Sequence, residues 1–199
     1  MFKTLIILVF SILFTVPSNT VQSQNSSEEI RAMLNERDAE IKELLGPGDI
    51  EYTQAQRDEL KDIINDVIYY RAMAQVALGN TYNEISEEDR EEFVSLFSTI
   101  IRDNSLNRLD IYRAEVAYTN IQVNDDQAFI ETTAELEDVR TAVDYNMRKI
   151  DGNWMITDMT IDSVSTAESY NRQFQSIIRQ RGFDALLQSL RRRAARAST

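Results

Sequence analysis

The spacing of apolar residues in this chain changes once and then changes back. Up to about residue 110 they recur every three or four positions. From Ile111 they recur every second position, and after Ser165 the helical spacing returns. Strands that follow one another through short turns must pair antiparallel, because parallel neighbours need long crossovers. The pattern therefore predicts an α+β fold, a twisted antiparallel sheet of four to five strands packed by helices.

The helical part begins where Ser26 or Ser27 is expected to cap a helix carrying Ile30, Met33, Leu34, Ile41, Leu44 and Leu45, stopped by Gly46-Pro47-Gly48. Thr53 caps a second helix with a stripe of Leu60, Ile63, Ile64, Val67 and Ile68, which is expected to run on through Tyr69–Ala74 to Leu78-Gly79. Ser86-Glu87-Glu88-Asp89 opens a third helix, with Phe93, Leu96, Phe97, Ile100 and Ile101 on one face. In the strand block Tyr112, Ala114, Val116 and Tyr118 alternate with more polar neighbours. So do Ala128, Ile130, Thr132, Ala134 and Leu136, and then Val143, Tyr145 and Met147. Asn124-Asp125-Asp126 and Asp151-Gly152 mark hairpin turns, the second leading into a strand over Trp154–Asp162. Helices from Thr166 to about Arg179 and after Gly182 complete the chain.

Lys3, the apolar run Leu5–Phe14, Pro17 and the small or compact residues of Val21-Gln22-Ser23 read as a signal peptide over residues 1–23. The run is too short to span a bilayer comfortably. A single domain over 24–192 and a basic, disordered tail over 193–199 are expected to follow. Gln24–Asp162 carries a net charge of −18, which argues against nucleic acid as a partner and against lasting adhesion to anionic lipid. Ser163–Thr199 carries +5. Its arginines either dock an acidic partner or complement a helix dipole in solvent.

The chain has no cysteine and no histidine. That removes thiol nucleophiles, Ser-His pairs, disulfides and His- or Cys-ligated metal. Its five glycines form no phosphate loop, and Glu87-Glu88-Asp89 lacks the spacing of a calcium loop. Asp158 and Asp162, four apart on one strand, are expected on the same sheet face. They are the best candidates for a general acid and base, or else sit in solvent or cap the next helix. The remaining material is apolar and aromatic: Tyr69, Met73, Tyr82, Phe93 and Phe97 on helices, Tyr145, Met147, Trp154 and Met159 on strands, and Tyr170, Phe174 and Ile177 on the closing helix. Periodicity alone does not separate a core from a pocket.

The stretch Trp154–Ser165 (WMITDMTIDSVS), with Tyr170, Gln173 and Phe174 and then Gly182, Leu186 and Leu190, resembles the signature of the MlaC family of periplasmic phospholipid-binding proteins, also called toluene-tolerance proteins. Tyr70–Ala74 through Leu78-Gly79 and Ser86–Phe97 resemble the family's upstream segments. Tyr82, Asn104, Ser163, Thr166, Ser169 and Asn171 depart from its usual residues. The resemblance implies a cone like that of nuclear transport factor, enclosing an apolar cavity for acyl tails, and no catalysis. It adds Ile156, Ile161 and Val164 to the expected pocket lining. No cofactor is implied, since phospholipid is cargo. The implied partners are an outer-membrane lipoprotein complex and an inner-membrane ABC transporter with an MCE-domain subunit, met by a monomer in the periplasm. A hopanoid cargo, or an enzyme on the same fold using Asp158 or Asp162, is the alternative.

Overall fold

The computed structural model describes residues 18–48, 51–106 and 109–197. Five helices come first: α1 (Ser18–Leu45), α2 (Gln54–Asn65), α3 (Tyr70–Leu78), α4 (Thr81–Glu84) and α5 (Glu87–Asn104). A 3-10 turn (Leu109–Arg113) leads into strands β1 (Glu115–Asn124), β2 (Gln127–Leu136), β3 (Val139–Ile150), β4 (Asn153–Ile161) and β5 (Val164–Ser165). Helices α6 (Thr166–Arg181) and α7 (Phe183–Ala197) close the fold. The strands pair antiparallel in sequence order, β1-β2-β3-β4-β5, so the meander expected from the period is present. Its turns use the left-handed residues that tight hairpins need: Asp125 at φ 52°, and Asp151 and Gly152 at φ 49° and 86°.

The caps at Thr53 and Ser86 form as expected. The Thr53 hydroxyl accepts from the Gln56 N–H while Gln56 accepts from the Thr53 N–H, and Ser86 accepts from the Asp89 N–H.

Three expectations are corrected. Helix α1 starts at Ser18, within the segment read as a signal peptide, and not at a cap on Ser26 or Ser27. The Ser27 hydroxyl donates to the Ser23 carbonyl one turn back, as it does inside a helix. The rest of that segment, residues 1–17, lies outside the described residues. The second helix is not continuous to Leu78, because it ends at Asn65 and the chain then runs beside β4. There the Ile156 N–H donates to the Val67 carbonyl at 2.7 Å and the Tyr69 N–H to the Ile156 carbonyl at 2.8 Å. A strand edge thus supplies bonds that local helix geometry would have used. Finally, α7 continues through Arg193 to Ala197 where a disordered tail was expected, since Ala194 turns inward and packs at 8% exposure. Among the described residues no helix is long and apolar enough to cross a membrane.

The main core lies between one sheet face and the helices. Ile130, Met147, Trp154 and Ile156 meet Met73, Phe93, Phe97 and Phe174, while Leu186, Leu187 and Leu190 seal α7 onto the cluster. A second core joins Ile41 and Leu45 of α1 to Leu60 of α2 and Leu109. Arg113 clamps this end. Its guanidinium donates to the carbonyls of Gly46 (2.6 Å) and Leu45 (3.1 Å) and to the Tyr52 hydroxyl (2.8 Å). It thereby satisfies carbonyls that the end of α1 leaves without partners. Arg113→Ala is expected to cost roughly 2–4 kcal/mol, because charge-assisted bonds are lost and buried acceptors are stranded. Urea unfolding checks this, and a loss within about 0.5 kcal/mol would deny Arg113 the clamping role.

Candidate functional site

Strict alternation would put Tyr118 and Ile121 on opposite sheet faces. They share one because β1 carries an extra residue, Thr119, between Tyr118 (opposite Thr132) and Asn120 (opposite Glu131). The Thr119 hydroxyl donates to the Glu131 carbonyl at 3.0 Å and occupies the bulge. A second bulge at Thr157 does the same in β4, with its hydroxyl donating to the Asn146 carbonyl. These two insertions bring Val116, Tyr118, Ile121 and Val123 of β1 onto the helix-facing side. In β4 they bring Trp154, Ile156, Met159 and Ile161 onto that side.

The expected lining residues fall into three groups. Met73, Phe93, Phe97, Met147, Trp154, Ile156 and Phe174 are brought together in the closed core. Tyr82 joins them from α4, with Arg90 over its ring and its hydroxyl accepting from Arg71. Tyr69, Tyr145, Met159, Tyr170 and Ile177 are half-buried around that core. Ile161 and Val164 lie at the β4–β5 turn, 44% and 52% exposed, and form a rim instead of a wall.

Helix α1 runs antiparallel to β1. The Ser23 hydroxyl reaches the Val123 carbonyl, Arg31 lies over the Tyr118 ring at 4.9 Å, and Lys42 lies 3.5 Å from Glu115. Between helix and sheet lie half-buried apolar side chains packed against the main core: Met33 and Leu34 from α1, Tyr118, Ile121 and Val123 from β1, Tyr145 from β3 and Met159 from β4. Ile30 beside them has no accessible surface. Beside it the Glu29 carboxylate accepts from the Trp154 indole N–H and from Lys149, both at 3.3 Å. Sequence reasoning missed Met33, Leu34, Tyr118, Ile121 and Val123 as site residues. Their apolar spacing was visible, but the Thr119 bulge that puts Ile121 and Val123 beside Tyr118 was not.

Burial, chiefly, pushes the Tyr145 phenol far above its ordinary range, and nearby Tyr118, Tyr112, Asp38 and Asp144 add to the rise. Yet Tyr145 keeps some accessible surface. Burial likewise raises Tyr118, with Asp38 adding and Arg31 opposing, and pushes Tyr112 up to about 12. An unfolded tyrosine ionises near 10. The folded chain therefore holds protons that the unfolded chain releases. Stability is full below about pH 10 and falls as pH rises towards 12. Urea unfolding should give a clearly lower stability at about pH 11 than at about pH 9; equal values would show the phenols to be freely hydrated.

The two aspartates are engaged separately, and Asp162 lies beyond the end of β4. Asp158 accepts from the Ser165 hydroxyl and from the Ala167 N–H at 3.0 Å, which anchors the start of α6. Asp162 sits in the β4–β5 turn at φ 46° and accepts from the Ala142 N–H at 3.1 Å. Each carboxylate thus holds backbone or a cap. The sheet's other side carries two shallow depressions. One, of about 350 Å³, is lined by Gln122, Phe129, Asn146 and Arg148, and the other, of about 580 Å³, by Glu115, Thr133, Glu135 and Arg140. Both are open and rich in polar side chains, unlike the apolar seam under α1.

The same fold occurs in a phospholipid-binding protein from Ralstonia solanacearum, solved in complex with a phospholipid. The two are 21% identical and superpose with a TM-score of 0.69, over 85% of this chain and 97% of that one. No curated protein sequence matches the chain. The profile described as "MlaC protein" matches residues 23–192, which is most of the sequence. The chain belongs to the MlaC family.

Proposed function

We propose that this chain is a periplasmic lipid carrier. It takes up a phospholipid with the acyl tails in the cleft between α1 and the sheet, and it performs no chemistry on it. The observation that carries the reading is the run of half-buried apolar side chains from Tyr118 through Ile121 to Val123, faced by Met33 and Leu34. Apolar side chains that keep surface in a concave site mark a place for an apolar guest. Membership of the MlaC family and the lipid complex of the Ralstonia protein support the same ligand class.

The energetics call for a carrier. Two acyl chains expose on the order of 30 methylenes at about 0.8 kcal/mol each, so unaided transfer through water faces a barrier above about 20 kcal/mol. A cleft that resembles the bilayer interior removes most of it and leaves exchange at either membrane close to neutral. Direction then comes from the partners, an outer-membrane lipoprotein complex and an inner-membrane ABC transporter with an MCE-domain subunit. The net charge of −12 keeps a monomeric carrier from adhering to anionic bilayers between visits.

The test is native mass spectrometry of the chain, expressed with its first 23 residues in a double-membrane bacterium and purified from the periplasm without detergent. One phospholipid mass per chain is expected. A hopanoid mass would change the cargo, and a chain that stays empty after incubation with liposomes would sink the carrier reading.

A further inference from the structure

Four of the eight tyrosines bond to protein through their hydroxyls. Tyr52 and Tyr70 donate to the Leu45 carbonyl and the Asn65 side chain, while Tyr82 and Tyr170 accept from Arg71 and Asn104. The other four, Tyr69, Tyr112, Tyr118 and Tyr145, meet no hydroxyl hydrogen-bond partner among the described residues, and all four are half-buried. Tyr118 and Tyr145 share one region, against the main core, while Tyr112 packs on the second. Tyr118 stands opposite Thr132 and Tyr145 opposite Ile130, so the two flank β2 two residues apart on its helix-facing side. Tyr112 and Tyr118 both lie close enough to Tyr145 to disfavour its ionisation. Two phenols with no protein partner, side by side against an apolar wall, are neutral donors open to the acceptors of a ligand.

The charges nearby decide which acceptor fits. Asp38 and Asp144 lie close to Tyr145, and Glu115 lies at the same end of β1. Lys42 is engaged by Asp38 at 2.9 Å and Glu115 at 3.5 Å, and Arg31 is spread over the Tyr118 ring. An anionic phosphodiester placed among the phenols would meet more negative charge than positive. A neutral carbonyl would meet no such penalty. Further along the cleft, Ile121 and Val123 continue the apolar wall.

We infer that Tyr118 and Tyr145 donate hydrogen bonds to the acyl-ester carbonyls of a diacyl lipid. They thus select ester-linked over ether-linked chains, with the tails towards Val123. This rests on the carrier reading above and adds a specificity to it.

Two neutral hydrogen bonds amount to roughly a tenfold preference. The chain is incubated with vesicles holding equal amounts of a diacyl phosphatidylglycerol and its dialkyl-ether analogue, and the bound lipids are weighed by native mass spectrometry. Wild type is expected to take the ester form about tenfold over the ether. Tyr118→Phe/Tyr145→Phe keeps the ring volume and is expected to bring the ratio to near one while lipid still binds. Each single variant should lower it about threefold, which keeps the comparison available if the double variant does not fold. Equal uptake of the two lipids by wild type overturns the inference and leaves the carrier reading standing, as does an ester preference that survives both phenylalanines. Failure of wild type to take up either lipid overturns the carrier reading and this inference with it.

Discussion

Ile121→Glu is expected to lower phospholipid occupancy by a hundredfold or more, and to leave the folded chain nearly as stable as wild type. Ile121 is half-buried on an edge strand, opposite Ile130 and against the cleft. In the free protein a glutamate there can lean its carboxylate into water. With acyl tails seated, that carboxylate loses its water and meets methylenes, a penalty of several kcal/mol for an unpaired charge. Because about 1.4 kcal/mol is a factor of ten in affinity, a hundredfold loss is the conservative reading. Measured together, lipid occupancy by native mass spectrometry and stability by urea unfolding separate the possibilities. Full occupancy in the variant would move the lipid away from the α1–β1 cleft. Loss of occupancy with a collapsed transition would report misfolding instead.

Phe97→Ala is expected to destabilise the fold by about 3–5 kcal/mol, more than the loss of the Arg113 clamp. Phe97 has no accessible surface and packs against three rings. It stacks on Phe93 at 5.6 Å and meets Tyr170 and Phe174 edge-on at 5.0 and 5.9 Å. Truncation removes those contacts and leaves a cavity that α5 and α6 cannot close without breaking the others. At about 2–4 °C per kcal/mol for a chain of this size, the midpoint should fall by on the order of 10 °C. Trp154, the only tryptophan, lies in the same core and gives the fluorescence signal. Val139→Ala is the control, since Val139 is 65% exposed and its truncation should change stability by less than about 0.5 kcal/mol. A loss below about 1 kcal/mol at Phe97 would mean that the aromatic cluster repacks freely.

Much of the fold was legible because its causes are local. The return of helical period after Ser165 and the Gly182 break mark α6 and α7, and Asp151-Gly152 marks the β3–β4 hairpin with residues that tolerate positive φ. Thr53 and Ser86 announce helix starts through side chains that reach only three residues along. Family membership was legible too, because Trp154–Ser165 and the Tyr170–Phe174 segment carry it in linear order. The candidate site was read less well. Phe93, Phe97 and Phe174 have the same helical spacing whether they wall a cavity or fill a core, and in this fold they fill it.

The sequence by itself therefore determined the succession of helices, meander and helices, the caps at Thr53 and Ser86, the turns at Asp125 and Asp151-Gly152, and the absence of thiol and imidazole chemistry. Each of these follows from residue identity or from contacts within one turn of chain. Tertiary structure alone decided three other things. Val67–Tyr69 leave the helix because a distant strand edge at Ile156 offers their backbone hydrogen bonds. Tyr118 and Ile121 share a face because the ladder across to Glu131 absorbs Thr119 as an extra residue. The half-buried apolar seam exists because α1 lies along β1, a placement set by contacts such as Arg31–Tyr118 and Glu29–Trp154, the second of them 125 residues apart. No local rule carries information over such separations. The closing of the whole chain around its two cores decides them.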